Sequence, residues 1–370
     1  MEKSSDLCRR NYNIDIIRIF AMFLVALLHL SGMGGMEEGS TSLATLLTAR
    51  VLNAVSMCCI NLFSLTTGYL LCNRTMKIKR LLGLWAQVFF FSVACFVVGF
   101  LISGDRSLLS LPSLGYLMPI CFAKYWYISV YFAVYLFSPF FNMLIGAMNK
   151  RKYTELLITV FICFSIIVTV FGEDTFLVGC PSFVWITTMY FTGAYIKKYG
   201  LNIKMKVLAI LSVLSLALTV AFEFIPKQFR SYGEKNFSLN GYNSFTIIIM
   251  SVTLFVMLLN MKLNVNEKIG KIIKAFSVSS LAVYLTHAHE VIFYKWIVGQ
   301  FKWIGAMSAP IAALTVIGIS LAITVAGCIA GMIQQGIFKL LRIDKLCECI
   351  GNKLTDIKHR IGDRITVSEL

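Results

Sequence analysis

The sequence predicts an all-α, polytopic integral membrane protein of about ten transmembrane helices with both termini cytoplasmic. Three observations lead there. Apolar residues make up 58% of the 370 and charged residues 14%, with a mean hydropathy of +0.78, whereas a soluble domain carries about 25% charged residues. Stretches of roughly 20 residues run almost free of charge, the length a bilayer core demands. The 34 Lys and Arg residues cluster in short segments between those stretches. The net charge of +16 is therefore a topology signal, and no nucleic-acid partner is expected.

The apolar stretches are roughly 14–33, 50–72, 81–103, 125–147, 155–172, 181–197, 205–225, 241–261, 275–298 and 304–338. Alternate loops differ in charge. One side receives 25 basic residues, from Lys3, Arg9 and Arg10 to the tail, and the other receives 8. The second side also holds Glu37, Glu38, Glu173 and Asp174. This bias orients the chain in a plasma membrane as a multi-pass protein. It divides into a cytoplasmic segment, 1–13, a single membrane domain, 14–338, and a basic cytoplasmic tail, 339–370.

The first span follows Lys3, Arg9 and Arg10, as a secretory leader would. It carries Asp15 and Arg18 and lacks a small-residue cleavage pattern, so it is read as retained. Arg18 and His29 are eleven residues apart, about 20° past three full turns, and so share a face some 16 Å apart along the axis. Asp15, one turn before Arg18, is expected to hold its guanidinium. The plainer readings are a snorkelling arginine and a histidine bonded to a neighbouring helix. In the second span, Asn61, Ser64, Thr66, Thr67 and Gly68 form a polar patch of the kind that packs helices closely. Trp126, between Tyr125 and Tyr127, opens the fourth span as an aromatic belt would.

The ninth span carries His287, His289 and Glu290. Glu290 lies one turn from His287 and either can face a site, whereas His289 points away. A carboxylate near an imidazole orients it and stabilises its cation. The plain alternative is helix-to-helix bonding. The last span is long enough to tilt or to project. Eleven cysteines, mostly within apolar segments, form no framework and are expected reduced. Cys347, Cys349 and His359 are read as part of a solvated tail, with no metal expected.

These residues resemble a known family. Asp15-x-x-Arg18-x-x-Ala21 followed by His29 is similar to the first-helix signature of the acyltransferase-3 family, a basic residue, ten others and a histidine. Phe63 to Leu71, Lys79-Arg80-Leu81-Leu82, Trp126-Tyr127-Ile128 with Tyr135 and Pro139, and Ser280 with Tyr284-Leu285 and His287 resemble further family segments in order. The sequence departs at Thr67, at Leu84-Trp85 and at Ala288. The resemblance covers roughly residues 11 to 340 and implies acyl transfer, usually acetyl from acetyl-CoA, to a hydroxyl of an envelope polysaccharide or lipid-linked sugar.

Arg18 and Arg80 are then expected on the donor's phosphates, with Gly68 allowing backbone approach and Tyr69 lining the mouth. His29 is expected as general base or transient acyl carrier, and Glu290 or His287 as its partner. Trp126 is expected to stack on a sugar. A partner protein of polysaccharide assembly is expected to direct the modification. The alternative classes are a transporter or flippase using the same buried His and Glu, and an accessory domain related to those of membrane-bound serine racemases.

Overall fold

The computed structural model describes residues 10–104, 108, 111–171, 181–229, 231–232 and 235–368. Lys3, Arg9, Arg106, Glu173, Asp174 and Arg230 lie outside the described residues.

Among the described residues, seven helical stretches are long and apolar enough to cross a membrane. The first is Tyr12–Met33: α1 (Tyr12–Leu28) closes in a wide turn over His29–Met33. The second, Leu43–Leu71, joins α2 (Leu43–Ser56) to α3 (Cys58–Leu71). Then come α4 (Ile78–Ser103), α5 (Trp126–Ala147) and Lys150–Phe171, in which a wide turn separates α6 (Lys150–Phe161) from α7 (Ile167–Phe171). Met205–Glu223 (α9) and Ala309–Leu340 (α15) complete the seven. An eighth is a broken pair, α11 (Glu267–Ser279) and α12 (Leu281–His287), bent by 43°.

Two of the remaining expected spans are helices that fall short of that standard. Phe245–Leu259 (α10) has only 15 residues. Pro181–Tyr199 (α8) ends in Lys197 and Lys198, and its middle is enclosed by protein, with Trp185, Met189, Tyr190 and Ala194 buried. A helix surrounded by helices has no lipid to satisfy and tolerates polar groups. Outside the helices, Ser231–Tyr232 pairs with Lys235–Asn236 as a two-residue antiparallel ladder.

The core forms around α1, the most enclosed of the seven, which packs against α3, α10, α11, α12 and α15. Ile17, Leu24 and Leu30 meet Leu62, Leu65, Phe255, Val283 and Val316 in one buried cluster. Small residues set the closest approaches. A methyl on Gly68 would sit 1.9 Å from the Tyr190 carbonyl oxygen, and one on Gly193 would sit 2.1 Å from that of Leu65. The two glycines interlock α3 with α8 in the manner of small-residue membrane interfaces. The polar patch of α3 serves the same packing: Trp185 Nε1 donates to Asn61 Oδ1 at 2.9 Å, and Asn61 donates to the Tyr242 carbonyl at 2.8 Å.

Three expectations are corrected. The ninth span is not one helix over 275–298. It bends at Ser279–Ser280, where Ser280 Oγ donates to the Ser277 carbonyl and Gln335 donates to Ser279 Oγ. It breaks again at Ala288–His289, after which Glu290–Trp296 (α13) begins afresh. The last span does not start at 304; a short turn, Lys302–Gly305 (α14), precedes α15, which starts behind Ser308 with Pro310 in its first turn. The tail is not simply solvated. Ile343–Ser368 (α16) is helical and packs on α4, with Lys79 Nζ 2.9 Å from Glu348 and Gly351 against the Lys79 backbone.

Candidate active site

α1 presents Arg18, Met22, Val25, Leu28 and His29 along one side, the spacing of a helix stripe. That side lines a cavity of about 750 Å³, within the usual range of ligand sites. Thr66, Thr67, Leu70 and Leu71 of α3 and Trp126, Tyr127, Tyr131 and Tyr135 of α5 form further walls.

The cavity is polarised. One end gathers Arg10, Arg18, Arg74 and Arg80. This end also holds Tyr135, whose hydroxyl accepts the Lys77 N–H at 3.2 Å just before Arg80. Nine residues earlier on α5, about 14 Å along its axis, Trp126 stacks on Tyr242 with centroids 6.3 Å apart. His29 lies toward that second end, a similar rise from Arg18. Arg10 is ion-paired with Asp15, whereas Arg18, Arg74 and Arg80 have no carboxylate partner among the described residues. Three guanidiniums lining one cavity without a carboxylate partner suit an anionic ligand.

At the far end the two histidines meet. His29 Nδ1 lies 2.9 Å from His287 Nε2, and His287 Nδ1 lies 2.5 Å from the Val283 carbonyl oxygen. A carbonyl only accepts, so His287 Nδ1 carries the hydrogen and His287 Nε2 is bare. With both rings neutral, His29 Nδ1–H is the donor to His287 Nε2, which leaves the lone pair of His29 on Nε2. The Phe293 ring stands edge-on to His29 at 4.8 Å and fixes its plane. The wide turn that starts at His29, closed by Gly34 N–H on the His29 carbonyl at 2.7 Å, ends the regular helix at this residue. Such turns recur at functional positions. In that neutral arrangement His29 is held in one orientation with Nε2 left to accept a proton.

The other expected residues fall elsewhere. Asp15 does not hold Arg18. It pairs with Arg10 and accepts from Ser277 Oγ at 2.7 Å, tying α1 to α11. Gly68 and Tyr69 do not line the cavity: Gly68 faces the α8 backbone, and Tyr69 lies edge-on to Phe255 with Lys197 Nζ 4.7 Å over its ring. Thr66, Thr67, Leu70 and Leu71 take the cavity side, as a helix turning about 100° per residue requires.

Glu290 does not reach either ring of the histidine pair, because the break at Ala288–His289 removes it from the face of His287. It accepts from Lys124 at 2.8 Å and Tyr116 at 3.0 Å. Burial pushes the Glu290 carboxyl up, but the hydrogen bonds from Lys124 and Tyr116 outweigh this and hold it below the usual carboxylate range. His289 Nε2 donates to the Ser92 carbonyl oxygen at 3.1 Å, and its ring stacks on Tyr116. Sequence reasoning missed Arg10 and Arg74 at the basic end and Phe293 against His29. The arginines belonged to loops already counted as basic; Phe293 has no local signal. Among the described residues, no three His, Cys, Asp or Glu side chains gather as a metal-ligand set.

A family model described as an acyltransferase domain matches residues 11–332. No curated protein matches the chain, and no solved structure does.

Proposed function

Because this chain belongs to that acyltransferase family, we propose that it moves an acetyl group from acetyl-CoA to a hydroxyl of a cell-envelope polysaccharide or lipid-linked sugar. It is a multi-pass membrane protein. The proposed setting is a bundle of ten membrane helices in the plasma membrane, with both termini cytoplasmic. The observation that carries the reading is His29, 2.9 Å from His287, at one end of a cavity whose other end is lined by arginines.

In this reading, Arg18, Arg74 and Arg80 take the phosphates of CoA at the cytoplasmic end. The extended pantetheine arm spans the distance of about 16 Å that separates Arg18 from His29. His29 Nε2 removes the proton of the acceptor hydroxyl as its oxygen attacks the thioester carbonyl. The C–S bond breaks, and the thiolate of CoA takes that proton from His29. His287 accepts from His29 Nδ1 throughout and stabilises the transient imidazolium. His287, rather than Glu290, is thus the partner of His29. Trp126 and Tyr242 offer an aromatic face to the acceptor sugar. An assembly partner that presents the glycan belongs to the same proposal.

The test is transfer of label from acetyl-labelled acetyl-CoA into envelope glycans by membranes containing the protein. Wild type is expected to release CoA and label glycan, while His29→Ala binds the donor without turnover. A folded wild-type protein that consumes no acetyl-CoA in the presence of envelope acceptors would overturn the reading.

A further inference from the structure

The tail helix α16 starts two residues beyond α15, a 32-residue apolar helix. Arg342, in the left-handed region at φ 55°, turns the chain between them. On α16, Leu346, Ile350, Leu354 and Ile357 are exposed. Their spacings of four, four and three residues hold them within an arc of roughly 80°. Leu340 and Leu341, 82% and 63% exposed, extend this apolar surface to the end of α15.

Charge is arranged around that stripe. Lys353 and Arg360 fall within about 40° of its edge, and both are exposed. Lys339, Arg342 and Lys345 crowd the turn. Glu348 points to the other side of the helix, where Lys79 neutralises it. Among the described residues, the protein covers α16 on the side that carries Cys347, Glu348 and Gly351, against the start of α4. An apolar stripe bordered by long basic side chains, placed where a membrane helix leaves the bilayer, matches an in-plane interfacial helix.

We propose that α16 lies in the headgroup region of the leaflet next to the end of α15. Leu346, Ile350, Leu354 and Ile357 insert among the acyl chains, and Lys353 and Arg360 bind the phosphates of anionic lipids. This assignment does not depend on the acyl-transfer reading.

The experiment is spin-label accessibility on the full chain in nanodiscs of phosphatidylcholine with phosphatidylglycerol, with Cys8, Cys121, Cys163, Cys180 and Cys349 replaced by serine. Labels are placed through Ile350→Cys, Ile357→Cys, Asn352→Cys and Asp356→Cys, one at a time. Positions 350 and 357 are expected to collide with oxygen and be shielded from a water-soluble nickel reagent. Positions 352 and 356 are expected to show the reverse, with a several-fold difference in the oxygen-to-nickel ratio. Removing phosphatidylglycerol, or introducing Lys353→Gln with Arg360→Gln, is expected to shift the labels at 350 and 357 toward water. Equal aqueous exposure of all four positions would overturn the proposal. So would shielding of 350 and 357 from both reagents with spin–spin broadening, which would mean that a second copy covers the stripe. Insertion that ignores lipid charge would overturn the role given to Lys353 and Arg360.

Discussion

Replacing His287 with alanine removes the acceptor of His29 Nδ1–H and leaves the arginine end of the cavity intact. At rest that hydrogen bond joins two neutral rings and is worth about 1 kcal/mol net. Once His29 holds the proton of the acceptor hydroxyl, the same 2.9 Å contact becomes charge-assisted and roughly twice as strong. The difference, about 1 kcal/mol in the transition state, corresponds to a fall in kcat of about fivefold. Loss of the fixed tautomer lowers it further, so His287→Ala is expected at about 10–100-fold below wild type. The KM for acetyl-CoA should stay within about twofold, because an interaction made only in the transition state changes kcat. The assay is the initial rate of CoA release across a range of donor concentrations in nanodiscs, with protein amount and melting temperature checked for each variant. His29→Ala should lose about 10²–10⁴-fold, and the double variant should be no slower than His29→Ala, since His287 acts through His29. A His287→Ala enzyme with wild-type kcat, or a double variant whose losses multiply, would refute the relay.

Arg18→Ala is expected to raise the KM for acetyl-CoA by about tenfold or more through loss of a charge-assisted bond to phosphate. The more exposed Arg80→Ala should have a smaller effect that fades at high salt, read from KM at two ionic strengths. Gly193→Ala places a methyl 2.1 Å from the Leu65 carbonyl oxygen and should cost about 1–3 kcal/mol by overpacking. Thermal unfolding in detergent checks this, with Gly146→Ala, which meets nothing within 4 Å, as the silent control. Glu290 has a depressed carboxyl pKa when folded, so its ion pair stabilises above the unfolded value near 4.3 and is lost as pH falls through the folded one. Glu290→Gln should therefore flatten the acid side of a melting-temperature profile, by about 1 kcal/mol or less for a half-exposed pair, while leaving acyl transfer at neutral pH largely intact.

What was legible in the sequence follows from where periodicity survives. Arg18 and His29 were placed on one face because α1 is unbroken between them, and both line the cavity. The pairing of His29 with His287 crosses 258 residues and leaves no local trace beyond two histidines inside apolar runs. Glu290 was misplaced because its one-turn spacing from His287 holds only on a continuous helix. Neither Gly nor Pro marks the break at Ala288–His289. For Gly68 the sequence signalled a close approach but not its object, which is the α8 backbone. Asp15 had an attractive local neighbour in Arg18, yet Arg10 and Ser277 took it, and only tertiary structure decides such a choice. The amphipathic pattern of Leu346, Ile350, Leu354 and Ile357 was present in the tail and was masked by its many charges.

The histidine chain ends on the Val283 carbonyl. A peptide oxygen accepts a hydrogen bond but does not carry a proton onward under physiological conditions, so the chain is a wire with one closed end. A proton received at His29 Nε2 can leave only through the face by which it arrived. In the proposed reaction His29 therefore exchanges its proton without opening a conduction path through these residues. The proton-motive force would be neither drained by each turnover nor required to drive it.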